Sequence, residues 1–261
     1  MTSDSAVEQA AERLLYAMRH HVTVEPVREF IGSTDIDAAY RVQQRLTRHR
    51  QEAGGVIVGR KIGLTSRAVQ RQLDVDQPDF GVLFADMDVS AADRIDTTRL
   101  LQPRAEAEIA FVLAEDLAEG ELDEARVRAA VDYAVAALEL VDSRVAGWDI
   151  ALADTVADNA SSGLFVLSDN RFRLGEFEPR QVRMRMYDGG ELVSAGDGAA
   201  CLGDPLAAVL WLARTAREYG EPLRAGQIIL SGALGPLAPV RPGSTIRADI
   251  EPLGSVSATF T

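Results

Sequence analysis

The chain has a single cysteine, Cys201, so no disulfide forms within it, and its 261 residues must be held by an apolar core. A lone thiol fits a reducing compartment, and a cytoplasmic protein is expected. Histidine is nearly as scarce: His20, His21 and His49 all precede residue 50, in segments that read as helices with polar neighbours. That excludes a histidine-based triad or a histidine-rich zinc site in the later part of the chain. No apolar run approaches the ~18 residues that span a bilayer. The polar start, residues 1–12, has no basic segment leading into an apolar one, so neither a membrane anchor nor a signal peptide is expected. Basic charge is also short. With 40 acidic against 27 basic side chains the net charge is −13, which argues against a nucleic-acid binder and repels small anions at long range. An anionic substrate would need a local cation to hold it.

The sharpest scarcity is lysine. Of the 27 basic residues 26 are arginine, and Lys61 is the only lysine. Where ammonium groups have been replaced this freely, the one that remains suggests a place where guanidinium serves badly and a compact group able to shed its proton is needed. Lys61 lies in Val56-Ile-Val-Gly-Arg-Lys-Ile-Gly-Leu64, which reads as a strand running into a turn among apolar neighbours.

What is present is an ordinary globular composition, 47% hydrophobic and 26% charged, enough for one large domain or a small one beside a larger one. Apolar residues at helical spacing predict a helix over 5–20 and a second from Ile36, opened by polar capping residues and ended at Gly54-Gly55. Thr65-Ser66 caps a predicted short helix reaching residue 72. A loop around Pro78 follows, and a soft boundary there separates an N-terminal α/β region, 1–78, from a catalytic domain, 79–261. Beyond Leu100 short strands alternate with turns, Asp188-Gly189-Gly190 among them. Predicted helices interrupt them over 124–137 and from Asp204-Pro205 to about residue 219, the latter with Trp211 in its apolar stripe. The glycine-rich stretches lack the spacing of a nucleotide-binding loop.

The chemistry gathers on one strand. Pro103-Arg-Ala-Glu-Ala-Glu-Ile-Ala-Phe111 runs on into Val112 and Leu113. On a strand Glu106 and Glu108 share a face, about 7 Å apart. Ala105, Ala107 and Ala110 leave room around them. A solvated acidic edge is one reading, but the apolar continuation from Ile109 to Leu113 argues against it. Glu139 stands between leucines in Leu138-Glu-Leu-Val-Asp-Ser-Arg144, where an acid is unfavourable unless paired, protonated or metal-bound. A third carboxylate tips the balance towards a hard divalent cation, which takes oxygen ligands.

Five stretches carry a family resemblance: Gly59-Arg-Lys-Ile-Gly-Leu-Thr-Ser66, Asp76-Gln-Pro-Asp-Phe-Gly-Val-Leu83, Pro103-Arg-Ala-Glu-Ala-Glu108, Leu138-Glu-Leu-Val-Asp142 and Asp158-Asn-Ala-Ser-Ser-Gly163. Together, and over nearly the whole chain, they resemble the 2-hydroxypenta-2,4-dienoate (2-keto-4-pentenoate) hydratases of the fumarylacetoacetase superfamily. The resemblance implies an α+β fold, with a mixed β-roll core beside a smaller helical N-terminal region. It implies a metal-dependent hydro-lyase that adds water to a 2-hydroxydienoate in the meta-cleavage degradation of aromatic or steroid compounds. It further implies Mg²⁺ or Mn²⁺ on Glu106, Glu108 and Glu139, catalytic roles for Lys61 and Asp79, and substrate contacts from Ser161 and Leu83. A homo-oligomer, with a downstream aldolase or a sister decarboxylase as partner, belongs to the same expectation.

Some alternatives stay open. Asp79 reads equally well as a turn-former after Pro78, and Ser161 as a helix cap. Lys61, beside an apolar wall and a metal's charge, is expected to lose its proton near neutral pH. The sister 4-oxalocrotonate decarboxylases resemble the hydratases in metal site and lysine, although the Asp-Gln-Pro-Asp-Phe-Gly wording is closer to the hydratases. A C–C hydrolase of the fumarylacetoacetase type uses a histidine, and none lies near a matching motif. A non-catalytic partner subunit has no reason to keep a buried triple-acid cluster.

Overall fold

The computed structural model describes residues 2–66, 70 and 77–261. Helix α1 (Asp4–His20) starts at Ser3, whose hydroxyl accepts the Ala6 N–H, and buries Val7, Ala10, Ala11, Leu14 and Ala17 along one stripe. A short α2 (Arg28–Ile31) leads to α3 (Ile36–Glu52), capped by Asp35 through the Ala38 N–H. Both long helices follow the sequence pattern. The short helix expected after Thr65-Ser66 falls largely outside the described residues, as does Asp76. Among the described residues no helix is long and apolar enough to cross a membrane.

The central mixed sheet runs in the order β2 (Asp79–Phe84), β1 (Ile57–Gly63), β8 (Ile228–Leu230), β3 (Arg104–Leu113), β4 (Val131–Val141) and β5 (Leu164–Leu167), with β9 (Ala238–Pro239) also pairing β3. Among the described strands of this sheet only β1 and β8 pair in parallel. A second, antiparallel sheet runs β11 (Gly254–Thr259), β10 (Thr245–Glu251), β6 (Arg183–Asp188), β7 (Glu191–Asp197). Strand β6 alternates exposed Arg183 and Arg185 with buried Met184 and Met186, so one face of this sheet meets the core, and β10 and β11 lie against β4. Gly189 and Gly190, at φ 57° and 97°, make the expected β6–β7 hairpin turn. This is the α+β architecture with a mixed-sheet core that the sequence pointed to.

One helix is shorter than expected. The helix read over 124–137 stops as α4 (Glu124–Ala130), and the chain enters β4 at once from Val131. Residues Ala134 to Val141 are buried on both faces of the sheet, so no polar alternation marks them as a strand. Val127, Ala130, Val131 and Ala134 fit helical spacing equally well, and only the long ladder from Arg104↔Val141 to Val112↔Tyr133 decides the outcome.

Two further helices complete the frame. Helix α5 (Leu152–Ala157) is buried along its whole length. Helix α6 (Pro205–Glu218) is capped by Asp204 with Pro205 in its first turn, and its Trp211 is partly buried, edge-on to Phe80 at 6.4 Å. Buried Gln43 of α3 donates to the Phe80 and Val156 carbonyls, both at 2.8 Å, tying the N-terminal helices to β2 and α5. A large apolar core joins the helices to the sheets. A smaller one gathers Val82, Leu83, Phe84, Ala110, Val135, Ala137, Phe165 and Leu230.

Candidate active site

Glu106 of β3 pairs directly with Glu139 of β4, and Glu108 with Ala137, so strand alternation places the three glutamates on one face of the sheet. One oxygen from each lies within 4.8 Å of the others. Glu108 and Glu139 are buried at 0% and 1% exposure, and Glu106 is part-buried at the open side. Like charges opposed on a sheet are destabilising unless something screens them. Glu108 Oε2 accepts the Gly232 N–H at 2.8 Å, but Glu108 Oε1 and Glu139 Oε2 have no hydrogen-bond partner. Orphaned buried carboxylate oxygens are rare and unfavourable. An all-oxygen donor set this close together suits a hard divalent cation, so these residues fit one.

The electrostatics agree. Burial, reinforced by Glu139, pushes the Glu106 carboxyl up to about 7. Burial likewise raises Glu108 and Glu139 above the ordinary carboxylate range. Arg104, two residues before Glu106 on the same face, acts in the opposite sense on it. The Arg104 guanidinium stacks over the Trp148 ring at 4.4 Å. Trp148 holds a left-handed φ of 58°, fixed in part by its indole N–H donating to the Gln102 carbonyl.

Lys61 comes from β1 on the same side, its Nζ 3.0 Å from Glu139 Oε1 and both side chains buried. Burial alone would lower the lysine pKa, but the carboxylates of Glu139, Asp79, Glu106 and Glu108 outweigh it and hold Lys61 above its ordinary value. The metal-free cluster therefore keeps the ammonium charged, whereas the neutral amine is expected beside a bound metal's charge. The reason is the number of acids converging on it.

Asp79 opens β2, buried, opposite Gly63 of β1, rather than ending a turn after Pro78. A Cβ at position 63 would stand 2.2 Å from Asp79 Oδ1 and 3.6 Å from Lys61 Nζ, so glycine keeps open the space that both groups border. Asp79 Oδ1 has no hydrogen-bond partner, whereas Oδ2 accepts the Thr155 hydroxyl at 3.0 Å. Burial raises the Asp79 pKa against the pull of Lys61 and Thr155. A Gly63→Ala substitution is expected to force the Asp79 carboxylate away and lower turnover by about tenfold or more, on the scale of a misplaced catalytic group. Steady-state kinetics at unchanged circular dichroism test this; wild-type turnover in the alanine variant would refute it.

Ser161 lies in a left-handed turn in which Asn159, Ala160 and Ser161 have φ of 56°, 51° and 51°. Each such residue costs about 1–2 kcal/mol, so the turn persists only because its surroundings impose it. Asn159 does most of this: its Oδ1 accepts the Val82 N–H at 2.7 Å and its Nδ2 donates to the Val82 carbonyl at 2.9 Å, like a residue of a further strand on the free edge of β2. Buried Arg144 adds bonds to Asp158 and to the Ser162 carbonyl, and the Asp142 N–H binds the Ser161 carbonyl. Ser161 Oγ thereby stands 3.3 Å from Thr155 Oγ1. The serine caps no helix. Leu83 belongs to the smaller apolar cluster, whose Ala110 and Ala137 follow on from Glu108 and precede Glu139 on the glutamate face.

Sequence reasoning missed Thr155, Asn159, the Gly232 N–H and Arg104. Arg104 alone had a visible signal, since it shares the strand parity of Glu106 and Glu108.

A family profile described as fumarylacetoacetate (FAA) hydrolase C-terminal matches residues 40–261. The chain is 53% identical over 255 residues to the TodF product hydratase of Pseudomonas putida, covering 98% of this chain and 95% of that one. It is 49% identical to the 2-keto-4-pentenoate hydratase of Paraburkholderia xenovorans, covering 97% and 94%. Among solved structures, the 4-oxalocrotonate decarboxylase from Pseudomonas putida G7, complexed with magnesium and adipate, superposes with a TM-score of 0.94 at 34% identity, over 100% of this chain and 99% of that one. A matched profile across most of the chain, and hydratase relatives near half identity over its full length, leave one conclusion: the chain belongs to the fumarylacetoacetate hydrolase family, among the 2-keto-4-pentenoate hydratases.

Proposed function

We propose that the protein is a metal-dependent hydratase that adds water to 2-hydroxypenta-2,4-dienoate, or a close homologue, to give 4-hydroxy-2-oxopentanoate in the degradation of aromatic or steroid compounds. The observation that carries this reading is the carboxylate triad of part-buried Glu106 and buried Glu108 and Glu139, with orphaned oxygens on the latter two, beside the only lysine of the chain. The names of its relatives support it. The three glutamates would hold Mg²⁺ or Mn²⁺, which when bound supplies Lewis-acid polarisation of the 2-oxygen and counter-charge for an anionic substrate.

The rest falls to the chain's own groups. Ketonisation of the dienol takes a proton from the 2-hydroxyl and delivers one to the terminal carbon; water then adds its oxygen to C4 while C3 takes a proton. In ketonisation Lys61 Nζ is the donor and Asp79 Oδ1 the acceptor; in hydration the roles reverse, the neutral Lys61 taking a proton from the water and Asp79 giving its proton to C3, so that each regains its starting state. The Ser161 hydroxyl holds the substrate carboxylate, and the apolar cluster around Leu83 shelters the hydrocarbon end from water. Lys61 then comes from the proposed N-terminal region, 1–78, and Asp79 and the glutamates from the proposed catalytic domain, 79–261. A cytoplasmic homo-oligomer, passing its product to an aldolase, completes the reading.

The test is the absorbance decay of enzymatically generated 2-hydroxypenta-2,4-dienoate with Mg²⁺ or Mn²⁺ and then with chelator. Metal-dependent loss with formation of 4-hydroxy-2-oxopentanoate is the expected result. The close likeness to a decarboxylase favours one second reading. CO₂ release from 2-oxohex-3-enedioate, without hydration of the dienoate, would replace the first with it.

A further inference from the structure

Thr155 has no part in the scheme above, yet its hydroxyl links the acid–base pair to the substrate serine. It sits on α5, a helix whose six residues are all buried. A buried hydroxyl in such a place is unfavourable unless bonded. Thr155 Oγ1 lies 3.0 Å from Asp79 Oδ2 and 3.3 Å from Ser161 Oγ. An ionised carboxylate only accepts, so the single Thr155 proton goes to Asp79, and Thr155 is left as an acceptor towards Ser161.

Two consequences follow from that commitment. With Oδ2 engaged, the Asp79 carboxylate is fixed in the rotation that turns the unpartnered Oδ1 into the space kept open by Gly63, which Lys61 Nζ also borders. The longer link to Ser161 is the weaker of the two, so Ser161 can exchange it for an anionic substrate oxygen without disturbing Asp79. The hydroxyl is also pinned from both flanks: the Arg28 backbone N–H and guanidinium bind Asp154 at 2.8 and 2.6 Å, and Gln43 binds the Val156 carbonyl at 2.8 Å. Resting on the hydratase reading, we propose that Thr155 is a positioning residue that sets the Asp79 carboxylate against Lys61 and keeps Ser161 ready for the substrate.

Thr155→Val and Thr155→Ser, each alone and combined with Asp79→Asn, test this with the Mg²⁺-loaded enzyme. Thr155→Val is expected to lower kcat by about tenfold or more, with KM changed by less than about threefold, and Thr155→Ser to restore most of the loss. In the Asp79→Asn background Thr155→Val should change kcat by less than about twofold, because its effect passes through Asp79. A loss of equal size in both backgrounds, a serine variant no better than valine, or a valine variant at the wild-type kcat would overturn the proposal. Crystal structures of the wild type and Thr155→Val give a readout that needs no turnover. The carboxylate should rotate away from Lys61 in the variant, and an unmoved Asp79 refutes the proposal. A wild type inactive on both dienoate and 2-oxohex-3-enedioate would instead overturn the functional reading, while the crystallographic comparison still decides on Thr155.

Discussion

Glu108→Gln is expected to abolish turnover and, in the same protein, to raise the melting temperature of the metal-free form. In the wild type Glu108 is fully buried, bonded through Oε2 to the Gly232 N–H and orphaned at Oε1, with burial and then Glu139 raising its pKa. At slightly alkaline pH it must either carry an unscreened charge or take up a proton against the bulk equilibrium, and both work against folding. Glutamine keeps the shape, accepts the Gly232 bond and offers an amide donor to the neighbouring glutamate. The metal-free variant should gain about 1–2 kcal/mol, roughly 3–6 °C for a chain of this size. Its catalytic loss should be at least about a thousandfold, since one of three anionic ligands is gone. The paired measurement is thermal unfolding with and without Mn²⁺. The wild type should be stabilised by the ion and the variant should not. A variant less stable than the metal-free wild type, or stabilised equally by Mn²⁺, would show that the cluster is not built for a cation.

The second large effect is in pH. In the metal-free protein Glu106 is pushed up to about 7, from an ordinary carboxylate value near 4.5. A folded-state pKa above the unfolded one means that the protonated group favours folding. This contribution is fully present below about pH 4.5 and is lost as the pH rises through about 7. A divalent cation needs the ionised form, so it competes with that proton. Apparent affinity for Mn²⁺ should therefore rise by about fivefold between about pH 6 and pH 7 through the proton on Glu106. Calorimetric titration in two buffers of different ionisation heat should show at least one proton released per ion. Affinity independent of pH, with no released proton, would contradict the raised Glu106. Denaturant unfolding of the metal-free protein should show the opposite trend over the same window, weakening as the pH rises.

The parts of the site visible in the sequence were those in which a charge stands where a charge should not. Glu106 and Glu108 lead into an apolar strand, Glu139 stands between leucines, and Lys61 is alone of its kind. Each is anomalous within a window of a few residues. What stayed hidden depends on partners distant in the chain. Thr155 and Asn159 are unremarkable residues in a helix end and a turn, and matter only because α5 is laid against β2. The Gly232 N–H is a backbone group and leaves no compositional trace. The start of β4 was misread because a strand buried on both faces loses the alternation that identifies strands. The charge of Lys61 in the metal-free cluster is hidden for a related reason: it depends on how many acids from other strands converge on it, a sum over the folded molecule.

The strand order of the central sheet has a consequence for biosynthesis. Strand β8, from residues 228–230, lies between β1, which carries Lys61, and β3, which carries Glu106 and Glu108. Until that late segment has left the ribosome, nothing holds the lysine strand against the glutamate strand, and the Gly232 N–H that secures Glu108 has not yet been made. A nascent chain can fold its helices and pair β3 with β4 early, which already sets Glu106 opposite Glu139, but Lys61 and the Gly232 N–H join the three glutamates only after residues 228–232 have been made.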